Sequence, residues 1–317
     1  MKKELGMKRG INLGGWMSQC DYSAERLDGF VTEEDFRRIA GWGLDHVRLP
    51  VDYEVLQRDD GSMIEEGLRR VDRALGWAEK YGLRTVLDLH KTRGFSFSPR
   101  ATEKGFFEND AYQELYYKIW ECFAARYASL GSGIAFDLLN EITLERYLPS
   151  WIRISKEVTA RIRRSAPDAL ILLGSYNWNS AGTVPELPAP YDGTVAYTFH
   201  FYDPHDFTHQ GAHWEAAQRD ITKRYTYEES GASRASLEAV LLPAVRKAEE
   251  EEAGLYCGEY GVIDVVPPAE GIKWFRDLHA VFQRHGIARC LWSYKQMDFG
   301  LTDSRMDGVR EELLKLL

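Results

Sequence analysis

Two glutamates in the sequence each end or interrupt a short apolar run that has the character of a buried β-strand. Glu141 closes Phe136-Asp-Leu-Leu-Asn-Glu141, and Glu259 lies in Leu255-Tyr-Cys-Gly-Glu-Tyr-Gly261. Two carboxylates brought to one end of a sheet can share the work of hydrolysing a glycosidic bond. We therefore take this pair as the candidate catalytic centre.

Strand-like runs recur along the chain, with helical stretches between them. The runs are Lys8 to Leu13, Asp45 to Leu49, Thr85 to Leu89, Ile134 to Leu139, Ala169 to Leu173, Val195 to Phe199, Gly254 to Gly258 and Ala288 to Trp292. Eight such runs alternating with helices are typical of a closed parallel (β/α)8 barrel, the TIM barrel. We predict one such barrel over residues 1–317, as a single catalytic domain with its active site at the C-terminal rim of the strands.

The helical stretches carry residues suited to helix ends. Thr32 precedes a run of acidic residues, which satisfy free backbone N–H groups in a first helical turn. Residues 68–81 have apolar side chains at helical spacing, and Gly82 follows as a C-terminal stop. The longest irregular segment spans residues 202–233, where a barrel enzyme places a loop over its substrate.

Polar and aromatic side chains stand at the carboxyl ends of the predicted strands. Besides the two glutamates they are Arg48, His90, Asn140, Trp178, His200, Tyr202 and Trp292. Because the carboxyl ends of all eight strands meet at one rim, these residues should converge in space. Each residue type also has a simpler structural explanation. The histidines could be buried core residues, the arginine could form an ion pair that holds the rim together, and the aromatic residues could pack in the core.

Taken in order, the motifs of this chain resemble glycoside hydrolase family 5, which contains many cellulases and β-glucanases. The motifs are Arg9-Gly-Ile-Asn-Leu-Gly-Gly-Trp16, Val47-Arg-Leu-Pro50, Asp88-Leu-His90, Leu139-Asn-Glu141, His200-Phe-Tyr202, Gly258-Glu-Tyr-Gly261 and Leu291-Trp-Ser-Tyr294. The resemblance implies that Glu141 is the acid/base and Glu259 the nucleophile. It also implies that the other rim residues surround the cleaved sugar. Lys295 resembles a residue with which some members hold a sugar hydroxyl beyond the cleavage point.

These roles make demands on the two carboxyl groups. Glu259 must be ionised to attack the anomeric carbon, so we expect Arg48 and the hydroxyl of Tyr202 to hold its pKa down. Glu141 must be protonated, and burial together with the charge of Glu259 should raise its pKa. A retaining mechanism further requires the two carboxyl groups to be about 5–5.5 Å apart.

The resulting prediction is a retaining β-glycosidase that acts on β-linked glucans or gluco-oligosaccharides without a cofactor, as a cellulase or β-1,4-glucanase does. An exo-acting β-glucosidase, a β-1,3-glucanase and a β-mannan-active member of the same family remain alternatives, and endo or exo action stays open. A carbohydrate-binding barrel without activity is the alternative from another class of protein. Such a protein would normally have lost one of the two glutamates.

The segment after the sixth predicted strand also holds a possible metal-binding set. It consists of Asp203, His205, Asp206, His209 and His213. A helix would place the three histidines, four residues apart, on one face. Pro204 and Gly211 favour a loop instead, and we therefore predict no metal. A metal-dependent hydrolase would lose activity with a chelator, whereas the predicted glycosidase would be indifferent to it.

Composition restricts the partners. The net charge of −9 and the pI near 5.5 argue against nucleic acid, because phosphates require a basic surface. No stretch approaches the length of an apolar membrane span. We expect a monomer whose partner is its β-glucan or gluco-oligosaccharide substrate. If the sequence is the whole natural chain we expect a cytoplasmic protein, and if a signal peptide has been removed, a secreted one.

Overall fold

The computed structural model of the chain describes residues 3–98, 101–219 and 222–317. Eight parallel strands form a closed barrel in chain order, because the last strand pairs with the first. They are β1 (Arg9–Asn12), β2 (His46–Asp52), β3 (Arg84–Lys91), β4 (Ile134–Asp137), β5 (Leu170–Leu173), β6 (Val195–Phe201), β7 (Leu255–Tyr260) and β8 (Ala288–Leu291). The predicted barrel is confirmed, and no predicted strand end differs from the observed one by more than three residues.

Helices connect the strands and cover the outside of the barrel. In chain order they are α1 (Ala24–Gly29), α2 (Glu33–Gly41), α3 (Tyr53–Leu56), α4 (Glu65–Lys80), α5 (Asp110–Tyr127), α6 (Leu148–Arg163), α7 (Tyr176–Asn179), α8 (His205–Thr208), α9 (Ala216–Arg219), α10 (Arg234–Glu250), α11 (Pro268–Arg284) and α12 (Arg310–Leu316). Short 3₁₀ turns span Ala128–Gly133, Glu145–Tyr147, Ala181–Glu186 and Ser304–Met306. Within the described residues, no helix combines the length and the apolar character that a membrane span requires.

Two helix ends form as the sequence predicts. Thr32 is the N-cap of α2, and its backbone N–H donates to the Asp35 carboxylate at 2.8 Å. This contact satisfies a free donor at the start of the helix. Gly82 follows α4 with φ of +70°, a backbone conformation that only glycine adopts without cost. The predicted irregular segment after β6 contains α8 and α9 and is otherwise without regular structure in its described residues.

The interior of the barrel is apolar at one end and polar at the other. Side chains along a strand point alternately to opposite faces. Those near the starts of the strands form one apolar cluster, which includes Val86, Ala135, Leu172, Ala196, Tyr256 and Cys290. Two residues further along β3 and β4, the same alternation brings Asp88 and Asp137 into the interior, where they are buried and paired in register. Charged groups therefore occupy the end at which the strands terminate.

Strand β7 departs from this alternation at one residue. Phe199 of β6 pairs with Cys257, but the next residue, His200, pairs with Glu259. Gly258 is thus an extra residue, and such a bulge re-aims the side chain that follows it. A Cβ at position 258 would lie 3.0 Å from Nε2 of His200, which leaves little space for a larger residue. The bulge turns Glu259 into the barrel, whereas regular alternation would have directed it outward.

Candidate active site

Glu141 and Glu259 lie close together at the rim of the barrel. Glu259 belongs to β7, and Glu141 follows β4 after three intervening residues. Their carboxylate oxygens, together with a ring nitrogen of His200, all lie within 4.8 Å of one another. Inverting glycosidases hold their two carboxyl groups about 6.5–9.5 Å apart, and retaining ones about 5–5.5 Å. The observed separation fits the retaining geometry, in which the two carboxyl groups leave no room for a water molecule between nucleophile and substrate.

The backbone at Glu141 is held in an unusual conformation. Its φ is +42°, in the left-handed region that residues with a side chain seldom adopt. The backbone N–H of Asn140 donates to the carbonyl of Leu89, and the carbonyl of Ile142 accepts from Trp178, so both neighbours of Glu141 are fixed. Strained residues of this kind persist where the surroundings determine them fully, and they cluster at functional sites.

Arg48 organises the buried side of the site. Its side chain is fully buried and lies within 2.8–3.1 Å of three carboxylates, those of Asp88, Asp137 and Glu259. It also donates to the side-chain oxygens of Asn12 and Asn140. The amide of Asn12 in turn donates to the carbonyl of residue 258, at the bulge of β7, at 2.9 Å. One guanidinium thus links four other side chains of the barrel to the nucleophile candidate.

Asp88 and Asp137, the two buried aspartates that Arg48 contacts, have raised pKa values. Burial raises the pKa of Asp137 to about 7, since the opposing charge of Arg48 does not fully offset desolvation. Burial likewise raises the pKa of Asp88 to about 7, again against the charge of Arg48. The three carboxylates of Asp88, Asp137 and Glu259 share one permanent cation, Arg48. Protonation of an aspartate therefore reduces the excess negative charge of the cluster.

This cluster predicts a pH dependence of stability. Asp137 has a folded-state pKa of about 7 and an ordinary value of 3.8, so between these values the folded protein binds more protons than the unfolded chain. Its contribution to the free energy of unfolding is therefore fully present below about pH 4 and is lost as the pH rises to about 7. Asp137→Asn should remove this contribution while keeping an oxygen for Arg48.

Urea denaturation of both proteins between pH 4 and pH 8 tests the prediction. The difference in free energy of unfolding, wild type minus Asp137→Asn, should decrease as the pH rises and level off above about pH 7. A difference that stays constant or grows over this range contradicts a protonated Asp137.

His200 and Tyr202 contact the glutamates from β6 and its end. The Tyr202 hydroxyl donates to Oε2 of Glu259 at 3.0 Å, while Nδ1 of His200 lies 2.9 Å from Oε1 of Glu141. Burial lowers the pKa of His200 well below its ordinary value, and the charge of Arg48 lowers it further, so its ring is neutral. Nε2 of His200 and Nδ2 of Asn140 are buried without a hydrogen-bond partner among the described residues. Buried polar atoms normally find partners, so these two atoms are suited to bind a ligand.

The two glutamates differ in their electrostatic surroundings. Burial raises the pKa of Glu141 well above its ordinary value, and the charge of Glu259 raises it further. Burial also raises the pKa of Glu259, although Arg48 and the hydrogen bond from Tyr202 oppose this. These two donors lower its pKa as expected, but desolvation outweighs them, so the pKa of Glu259 is raised on balance. Of the two glutamates, only Glu259 is bound by Arg48 and Tyr202, and it therefore ionises before Glu141.

Aromatic side chains form one wall of the site. The rings of His90 and Trp292 stack at 5.8 Å with an angle of 1° between their planes. Nδ1 of His90 contacts Asp88 at 2.6 Å, and burial lowers the pKa of His90 to about 4. Phe97 packs edge-on against His90, and its carbonyl accepts a hydrogen bond from Nε1 of Trp178 at 3.3 Å. Trp178 is 44% exposed and so offers a free ring surface at the rim.

Lys295 contacts residues other than the two glutamates. Its ammonium group is 3.2 Å from the carboxylate of Asp35 at the start of α2, and it lies over the ring of Phe30. The hydroxyl of Tyr294 donates to the same carboxylate at 2.7 Å. The structure thus brings the other predicted site residues into one cluster and its wall, with Trp178 on the rim, and holds Lys295 in a separate ion pair.

Three residues of the site were not singled out from the sequence. Asn12, Asp88 and Asp137 all contact Arg48, and all are buried. A signal was present in Asp88 and Asp137, because an aspartate inside an apolar strand must find a partner for its charge. The alternation of the strand places Asp88 on the same face as His90, two residues further along.

Among the residues that the structure describes, two groups of side chains are arranged so that they could hold a cation. One is the set of Glu141, His200 and Glu259 at the centre of the site. The other, formed by His205, His209 and Glu215, lies in the segment after β6. The first has a neutral histidine and a permanent cation, Arg48, 2.8 Å from one of its carboxylates. That guanidinium already supplies the positive charge which a metal ion would bring.

Comparisons with known proteins agree with this geometry. Residues 8–298 match the family described as cellulase (glycosyl hydrolase family 5). Cellodextrinase A of Ruminococcus flavefaciens is 51% identical over 291 residues, which cover 91% of this chain and 86% of that protein. Endoglucanase C of Acetivibrio thermocellus is 35% identical over 339 residues, which cover 99% of this chain and 98% of that protein.

Solved structures share the fold. Cellulose synthase subunit Z from Clostridioides difficile is 26% identical and superposes with a TM-score of 0.81, covering 98% of this chain and 99% of that one. An endoglucanase at 19% identity superposes with a TM-score of 0.84, covering 98% and 97%. At 19% identity, the likeness to that endoglucanase supports only the barrel fold. The family match extends over nearly the whole chain. The chain therefore belongs to glycosyl hydrolase family 5 and is a glycoside hydrolase.

Proposed function

We propose that the chain hydrolyses soluble β-1,4-linked gluco-oligosaccharides by double displacement, with Glu259 as nucleophile and Glu141 as acid/base. One observation carries this proposal. The two carboxylates approach within 4.8 Å, and only Glu259 is bound by a buried guanidinium and a tyrosine hydroxyl. This asymmetry assigns different protonation states to two residues of the same type.

In the first step, the Glu259 carboxylate attacks the anomeric carbon and forms an ester with the sugar. The bond between that carbon and the glycosidic oxygen breaks, and Glu141 gives its proton to the departing oxygen. Arg48 and Tyr202 hold one oxygen of Glu259 each, which fixes the direction of attack. The raised pKa of Glu141, caused by burial and by the charge of Glu259, keeps it protonated until this step.

In the second step, Glu141 accepts a proton from a water molecule, whose oxygen attacks the anomeric carbon and releases Glu259. Before the reaction, the negative charge of Glu259 raises the pKa of Glu141. Formation of the ester removes that charge. The pKa of Glu141 therefore falls when it must act as a base. Each cycle returns both groups to their starting state and inverts the anomeric carbon twice.

The remaining residues are assigned to the sugar bound at the cleavage point. We assign the unpartnered Nδ2 of Asn140 to donate to the sugar 2-hydroxyl, a contact that strengthens in the transition state. Trp292 supplies an apolar surface for the sugar ring, and His90 supports that surface by stacking on it. The exposed ring of Trp178 is assigned to a neighbouring sugar.

The choice of substrate rests on similarity and on the site. The relative that is 51% identical is named a cellodextrinase, and the relative at 35% an endoglucanase. The acidic charge of the chain suits a neutral oligosaccharide. We infer a preference for short β-1,4-glucan chains, and the length at which cleavage becomes efficient is the property to measure.

Chromogenic glycosides test the proposal. We expect wild type to release the chromophore from a β-cellobioside faster than from a β-glucoside, since a second glucose adds binding energy that can be used in the transition state. A β-mannoside should be a poor substrate, because its axial 2-hydroxyl is displaced from the position that Asn140 is assigned to recognise. Initial rates for the three compounds with wild type and Glu141→Gln check this.

Each outcome has a definite meaning. Turnover of the monosaccharide alone would replace the proposed function with an exo-acting β-glucosidase. Preference for the mannoside would make the chain a mannan-active member of the family. If wild type released the chromophore from none of the three glycosides but still bound oligosaccharides, the result would favour a barrel that binds sugars without cleaving them.

A further inference from the structure

The segment that follows β5 has an unusual backbone. Asn177, Trp178 and Asn179 have φ values of +54°, +53° and +58°, so α7 (Tyr176–Asn179) is a left-handed turn and not a regular helix. Residues with a side chain adopt this conformation mostly as single residues, and asparagine does so more readily than others. Three in succession, with a bulky tryptophan in the middle, persist only where the surroundings fix them.

Hydrogen bonds at both ends hold the turn in this conformation. The buried side-chain oxygen of Asn179 accepts from the backbone N–H of Ser175 at 3.0 Å. The hydroxyl of Thr183 points at two backbone carbonyls, those of Tyr176 at 3.0 Å and Ser180 at 2.9 Å. The residues before and after the turn are thus tied to each other, which determines the path of the chain between them.

The turn reaches the proposed acid/base from two sides. The backbone N–H of Trp178 donates to the carbonyl of Ile142, the residue after Glu141, at 3.0 Å. Ser180, directly after the turn, forms a parallel bridge with His200. Nδ1 of His200 in turn lies 2.9 Å from Oε1 of Glu141. The main chain and the carboxyl group of Glu141 are each connected to this turn through one intermediate residue.

The direction of the Trp178 N–H depends on the backbone of Asn177. Rotation about ψ of Asn177, which is +52°, turns the planar peptide group that carries this N–H. A residue that prefers right-handed or extended backbone would turn the N–H away from the carbonyl of Ile142. Display of the Trp178 ring alone does not explain the contact, because the indole has its own hydrogen bond to the carbonyl of Phe97.

We propose that the left-handed turn at residues 177–179 positions Glu141 for proton transfer to the leaving oxygen, with Asn177 as a positioning residue that acts through its backbone. A general acid must lie within hydrogen-bond reach of the atom it protonates. Glu141 itself has a φ of +42°, so it depends on its neighbours to stay in place. The inference rests on the proposed role of Glu141 as acid/base.

Asn177→Val tests the inference, because a β-branched residue is a poor fit to a φ of +54°. Asn177 is exposed, so the change acts mainly on the backbone. The measurement is kcat/KM, which reports the first step, on phenyl and 2,4-dinitrophenyl β-cellobioside. Phenol needs a proton in order to leave, whereas dinitrophenolate leaves without one. We expect a loss of about 10- to 100-fold on the phenyl compound, and of less than about threefold on the other.

Two further variants separate the backbone from other effects. Asn177→Gly should restore the wild-type ratio of the two rates, because glycine accepts a positive φ without strain. Glu252→Val is the matched control: Glu252 is also exposed and has a φ of +51°, but it precedes β7 at the end of the barrel opposite the site. It should keep both rates. Circular dichroism verifies the fold, and if Asn177→Val does not fold, Asn177→Ala imposes a smaller mismatch at the same position.

Two results would overturn the inference. Equal losses on both substrates, or no loss on either, would show that the turn does not act through proton transfer. A glycine variant as impaired as the valine variant would assign the effect to the Asn177 side chain. Glu141→Gln distinguishes this inference from the proposed function, since it should itself lose activity selectively on the phenyl compound. If Glu141→Gln shows no such selectivity, the acid/base assignment fails; if only Asn177→Val lacks it, the positioning role alone fails.

Discussion

Replacing Glu259 with alanine should lower kcat/KM on a chromogenic β-cellobioside by at least about 10⁴-fold, the scale on which loss of a covalent nucleophile acts. No neighbouring side chain can take over its attack, since Glu141 must remain protonated and His200 is neutral and hydrogen-bonded to it. Initial rates of purified protein measure the loss. Glu79→Ala, at an exposed position on α4, is the control and should keep full activity.

A rescue experiment separates the two glutamates. Azide supplied to Glu259→Ala can occupy the space of the missing carboxylate and attack from the same side, giving the α-glycosyl azide. In Glu141→Ala, azide should instead intercept the ester on Glu259 and give the β-glycosyl azide. Nuclear magnetic resonance of the products distinguishes the anomers. If the two configurations were exchanged, the assigned roles of nucleophile and acid/base would be exchanged as well.

Arg48→Met should lower the free energy of unfolding by roughly 3–5 kcal/mol at pH 8, because removal of one partner leaves buried charges uncompensated. The three carboxylates that Arg48 contacts are themselves almost completely buried. At pH 5 the loss should be smaller, since the aspartates, whose pKa burial raises to about 7, then take up protons. Activity should fall as well, because Glu259 loses its permanent cation.

Arg126→Met is the matched control for Arg48→Met. Arg126 also binds two carboxylates, those of Glu65 and Asp72, but 31% of its side chain is exposed. Exposed ion pairs contribute up to about 1 kcal/mol each, so this variant should be much less destabilised. Guanidinium denaturation at both pH values provides the free energies. Equal losses in the two variants would mean that the buried cluster is not held together by Arg48.

The fold and the central pair could be predicted because their signals are local. A buried parallel strand requires a continuous apolar run, and eight such runs separated by helices have few arrangements. The polar residues that end these runs then have to meet at one rim. For this reason Glu141, Glu259 and Arg48 were identified from strand ends, and the motifs around them matched the family that the comparisons confirm.

Other properties depend on contacts between distant parts of the chain. That Asp88 and Asp137 share Arg48 follows from the register of β3 with β4, which a single sequence does not fix. The raised pKa of Glu259 reflects how completely the closed barrel excludes water, and no motif encodes this depth. Lys295 follows the eighth strand as expected, but its partner Asp35 belongs to another segment of the rim.

The extra residue in β7 has a consequence for transplanting this chemistry. A designer who copies the glutamate pair onto an idealised barrel with regular strands would retain Tyr256 in the interior and thereby send residue 259 towards the outer helices. The copied sequence would contain both carboxylates, but one would face the barrel interior and the other the outer helices. The graft must therefore include the backbone irregularity at Gly258, together with Asn12, whose amide binds the carbonyl of residue 258. In this fold the direction of the proposed nucleophile, Glu259, is a property of the main chain, and exchanging side chains alone does not transfer it.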